Sequence, residues 1–75
     1  MTKKECEIIL KEMRQIIKNY GFVTRADYYD LIGLDVRSGD DKVGWHSILG
    51  ARIHMVKNEY GRWYELILPE PVDLH

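Results

Sequence analysis

Seventy-five residues, 45% hydrophobic and 31% charged, are enough for one small folded domain and exclude a disordered tail. A net charge of −1 excludes a global field that would draw the chain to nucleic acid or to an anionic membrane. The single Cys6 excludes an internal disulfide and a multi-cysteine zinc site, and no apolar run nears the roughly 18 residues of a membrane span.

The charged start Thr2-Lys3-Lys4-Glu5 is unlike a secretion signal and reads as a helix cap, with the Thr2 hydroxyl accepting from the Glu5 amide. At 100° per residue Cys6, Ile9, Leu10, Met13, Ile16, Ile17 and Tyr20 share one arc, whereas Lys4, Lys11, Arg14 and Lys18 gather on another. An amphipathic helix over about 3–20 is expected, ended by Gly21. The basic stripe reads mainly as a solvated face, since Glu7 lies within it and can pair with Lys11. After the extended Phe22-Val23, Thr24 caps a second helix over about 25–32, with Val23 and Tyr28 as its hydrophobic staple and Gly33 at its end.

Ser38-Gly39-Asp40-Asp41 is a dense turn signal, so 35–50 reads as a loop or a short helix through Trp45-His46-Ser47-Ile48-Leu49. From Ala51 the hydrophobic period changes to two, and Lys57-Asn58-Glu59-Tyr60-Gly61 separates two strands of a β-hairpin over about 51–68. Tyr64, Leu66 and Leu68 face the helices; Trp63, Glu65 and Ile67 point the other way with His54 and Val56. Pro69 and Pro71 interrupt the ladder and leave a short, loosely held tail over 69–75. Residues 1–75 read as one α+β domain, two helices with room for a short third, packed on a C-terminal hairpin.

Catalytic signatures are missing: no Gly-x-Ser-x-Gly turn, no phosphate-binding glycine loop and no His-Glu-x-x-His. The acidic loop Asp35 to Asp41 lacks the alternating ligand positions of a calcium site, and His46 and His54 have no third ligand at metal-site spacing. The expectation is a protein that is not an enzyme and takes no metal or cofactor, in a reducing cytoplasm and outside the membrane.

The order helix, Phe22-Val23 strand, Thr24-capped helix, turn, short helix and hairpin resembles a winged helix-turn-helix domain. That resemblance implies a nucleic-acid-binding regulator with a recognition helix near 41–49, using Lys42 and His46 there and Lys57 and Arg62 on the wing. Against it, Asp41 and Ser47 stand where base-reading Arg, Asn or Gln are usual, and Gly44 weakens the helix. The preferred reading is protein binding. Trp63, Tyr60, His54 and Ile67 exceed what a small core encloses on both faces of a two-stranded sheet. With Asp40 and Asp41 they form the candidate contact set, suited to a basic partner. Trp45 reads as core, and Trp63 as either the covered back of the hairpin or a contact. The open hairpin edge, or its second apolar face, also allows a homodimer.

Thr24-Arg25-Ala26-Asp27-Tyr28-Tyr29-Asp30-Leu31-Ile32-Gly33, then Asp40-Asp41-Lys42-Val43-Gly44-Trp45, then Glu65-Leu66-Ile67-Leu68-Pro69-Glu70-Pro71, resembles small proteins encoded by bacteriophages and prophages. These share a Thr-capped Asp-x-Tyr-Asp-Leu helix, an Asp-x-Lys-x-Gly-Trp turn and a last strand ending in Leu-Pro. The resemblance implies a phage context, and with it either a stoichiometric inhibitor or adaptor of a host protein, for instance of a defence nuclease in the anti-CRISPR manner, or a phage transcriptional regulator.

Overall fold

The computed structural model describes residues 1–74. Helix α1 spans Lys3–Tyr20 and starts where Thr2 accepts the Glu5 amide at 3.1 Å. It ends at Gly21, whose φ of 85° lies in the left-handed region. Cys6, Ile9, Leu10 and Met13 are buried along one stripe, as the 3.6-residue period requires. The stripe loses the core at its end, where Tyr20 is exposed.

Strand β1, Val23–Thr24, leads directly into α2, Arg25–Ile32. Thr24 serves both elements. Its hydroxyl accepts the Asp27 amide at 3.0 Å and its own amide donates to Asp27 Oδ2 at 3.1 Å, a complete capping box. Strands β2, Val43–Trp45, and β5, Val72–Asp73, join β1 in an antiparallel three-stranded sheet of order β1-β2-β5. Strands β3, Arg52–Asn58, and β4, Gly61–Ile67, form a separate antiparallel hairpin. Two helices and antiparallel sheets make the fold α+β.

Two expectations are corrected. Residues 41–49 hold no helix: Val43–Trp45 is strand and a turn follows, so the third helix of a winged-helix order does not form there. The reason is steric and non-local. Gly44 packs so tightly on β1 that a Cβ would collide with the Val23 carbonyl, an approach that only glycine permits. The tail, expected to be loose over 69–75, is strapped down as far as Leu74, and His75 lies outside the described residues. Val72 and Asp73 pair with Gly44 and Val43, Leu74 N–H donates to the Lys42 carbonyl at 2.9 Å, and Trp45 Nε1 donates to the Pro69 carbonyl at 2.7 Å. The prolines redirect the chain from one sheet to the other.

The core lies between α1 and the three-stranded sheet, where Ile9, Leu10, Met13, Val23, Trp45 and Ile48 touch one another. Tyr28 meets the Trp45 ring edge-on at 5.9 Å between centroids, a geometry that suits aromatic quadrupoles. Ile53, Leu66 and Leu68 lean on this cluster from the hairpin side.

Candidate functional site

The β3–β4 hairpin departs furthest from the globular body. Its backbone runs close to α1, and it rests on the core through Ile53, Leu66 and the following Leu68. The radius of gyration, 13.0 Å, exceeds the roughly 11 Å usual for this length, and the molecule measures 44 × 24 × 17 Å. Seven consecutive residues pair from Arg52↔Ile67 to Asn58↔Gly61 without a bulge. The turn is tied by the Asn58 carboxamide, whose Oδ1 accepts the Tyr60 amide at 2.8 Å, and by Gly61 at φ 138°.

Alternation then sorts the side chains. Ile53, Tyr64 and Leu66 turn inward and are half-buried. The rungs Arg52↔Ile67, His54↔Glu65 and Val56↔Trp63 occupy the other face. Trp63 is 37% exposed and Ile67 38%, and the Trp63 indole N–H donates to Glu65 Oε1 at 3.2 Å. That bond holds the ring along the strand with its polar edge satisfied. Tyr60 stands at the tip, 89% exposed. Four of the candidate contact residues, Trp63, Tyr60, His54 and Ile67, therefore share one projecting hairpin.

Asp40 and Asp41 do not join them. Asp40 is only 4% exposed and serves the fold instead. Its Oδ1 accepts Arg25 Nε at 2.7 Å and its Oδ2 accepts the Arg37 amide at 2.8 Å, while its carbonyl accepts the Ala26 amide at 3.0 Å. The Arg37 amide holds its carboxyl below the usual carboxylate range against the opposing effect of burial, and Arg25 adds to the lowering. Nothing local in Ser38-Gly39-Asp40-Asp41 signals this clasp; its partner, Arg25, is the first residue of α2. Asp41 is exposed on the loop before β2, next to the clasp. The acidic loop thus leaves the candidate surface, and with it goes the case for a basic partner.

Of the cations proposed for nucleic acid, Lys57 and Arg62 face each other across the hairpin near its tip. Lys42 precedes β2 and His46 follows it, with His46 Nδ1 3.4 Å from the Gly21 carbonyl. None of the four is presented on a helix. Cys6 is fully buried, and burial pushes its thiol pKa up, which keeps it in the unreactive protonated form. Among the described residues no three His, Cys, Asp or Glu side chains converge as a metal site, and no helix is long and apolar enough to cross a membrane. Compared with family models, curated proteins and solved structures, the chain matches none.

Proposed function

We propose that this protein is a non-enzymatic binding module that docks a protein partner on the outer face and tip of its β3–β4 hairpin. The carrying observation is that half-exposed Trp63, paired with Val56, and half-exposed Ile67, two rungs further along, lie on the hairpin face opposite to the one that Ile53 and Leu66 pack on the core. Large aromatic side chains on a pre-ordered scaffold bury much area at little entropic cost, which is the chemistry of interface hot spots. Charge on the hairpin suggests the complement. Lys57 and Arg62 lie on the opposite face, and on the outer one the charge of Arg52 is matched by that of Glu65, so the fitting partner offers an apolar pocket for Trp63 within a near-neutral rim. The likeness to phage-encoded proteins supports a host protein as that partner and stoichiometric inhibition or adaptation as the outcome.

The test is a comparison of immobilised wild type, Trp63→Ala, Tyr60→Ala and Lys42→Ala in nuclease-treated bacterial lysate. A stoichiometric partner retained by wild type and Lys42→Ala but lost with Trp63→Ala supports the reading. Equal retention by wild type and Trp63→Ala removes its basis. Association that disappears with nuclease, and weakens with Lys57 or Arg62 removed, favours the nucleic-acid reading instead.

A further inference from the structure

The two edges of the hairpin are unequal. On β4, the Tyr64 N–H points away from β3 and donates to the Met1 carbonyl at 2.9 Å, so the chain's own first residue covers that edge. Because Tyr64 and Met55 face each other, Met55 is also at a position whose backbone groups turn away from its partner strand. Ile53 and Lys57, two residues to either side, share that orientation. No other backbone segment among the described residues bonds to them. Met55 is 45% exposed.

An unpaired strand of this length is usually protected by proline, a bulge or charged side chains, Lys above all. Arg52–Asn58 has no proline and no bulge, and its two cations, Arg52 and Lys57, lie toward its ends. We infer that β3 is a self-recognition edge: it pairs antiparallel with β3 of a second copy across a two-fold axis at Met55, making one continuous four-stranded sheet.

The register follows from three requirements. Outward-turned residues must meet outward-turned residues, so Ile53, Met55 and Lys57 of one copy face members of the same set in the other. The pairing that uses the whole strand centres on Met55 and places Ile53 against Lys57, His54 against Val56 and Arg52 against Asn58 of the second copy. A centre at Lys57 would oppose like charges, which is unfavourable directly across a sheet. Centres at His54 or Val56 leave part of the strand unpaired. In the Met55-centred sheet no charge faces its like, and each outward pair exchanges two backbone hydrogen bonds. On the outer face, Val56 lies between Trp63 of its own chain and His54 of the second copy. The face proposed for a partner is thereby doubled and left open, and the inference does not depend on that proposal.

Sedimentation equilibrium over a wide concentration range tests it. Wild type is expected to pass from the mass of one chain to that of two. Met55→Lys, which sets like charges against each other on the axis, is expected to dissociate about tenfold more readily. Met55→Pro removes an N–H that the β3–β4 ladder does not use, so it spares the hairpin and blocks the second strand. Far-UV circular dichroism checks folding, and Met55→Lys decides the matter if the proline variant fails to fold. Trp63→Ala, off the edge, keeps the dimer whether or not it loses a partner. The inference is overturned if wild type stays monomeric at every concentration, or if it dimerises and Met55→Lys associates as tightly.

Discussion

Arg25 Nε donates to Asp40 Oδ1 at 2.7 Å, joining the first residue of α2 to the loop that precedes β2. Because the folded-state pKa of Asp40 is lowered, the linked stability is fully present above the unfolded carboxylate value, about 3.9. It is lost as pH falls through the lower folded value. Asp40→Asn cannot lose what it no longer has. Thermal midpoints measured between about pH 2 and pH 6 should show the wild type falling more steeply in the acid range, and the variant lower at neutral pH with a flatter acid limb.

Gly44→Ala should disrupt the three-stranded sheet, since the new methyl meets the Val23 carbonyl, a backbone atom that cannot rotate away. Overpacking of this kind costs about 1–3 kcal/mol, a large share of what so short a chain can have. Exposed Leu49→Ser should stay within about 0.5 kcal/mol of wild type. Urea unfolding midpoints of the two variants test the contrast.

The helices are legible in the sequence because what starts and stops them is local. Thr2 reaches Glu5, Thr24 reaches Asp27, and Gly21 and Gly33 end the turns they follow. The hairpin and its two faces are legible for the same reason, through strict alternation around Asn58-Glu59-Tyr60-Gly61. Residues 41–49 are not. Gly44 reads as a helix-weakener on its own, and its requirement for closeness to Val23 exists only once distant segments meet. Asp40 looks like one more turn acid until Arg25 arrives beside it. Trp63, Tyr60, His54 and Ile67 come together because one hairpin carries them, whereas Asp40 and Asp41 belong to a loop that the fold puts to another use.

Cys6 offers a probe of global opening. The thiol is fully buried and burial raises its pKa, so a thiol reagent must wait for α1 to leave the core. Labelling at about pH 8 should be ~100-fold or more slower than that of a free cysteine and should accelerate with denaturant. Fast labelling in the native state would place Cys6 in a frayed first turn.

The two tryptophans separate fold from contact. Trp45 is buried and bonds Pro69, so Trp45→Ala should cost about 3–5 kcal/mol. Trp45→Phe should cost less while freeing the tail strap, visible as faster amide exchange at Leu74, whose N–H bonds Lys42. Trp63 lies half-exposed with its indole N–H on Glu65, so Trp63→Phe should be nearly neutral to stability. In Trp63→Phe the remaining fluorescence, from Trp45, should resist acrylamide. In Trp45→Phe it should be quenched readily, because the signal then comes from the hairpin. A partner seated on the outer face must protect that second signal and shift it to the blue. A partner that binds equally well and leaves Trp63 open to quencher docks elsewhere on the molecule.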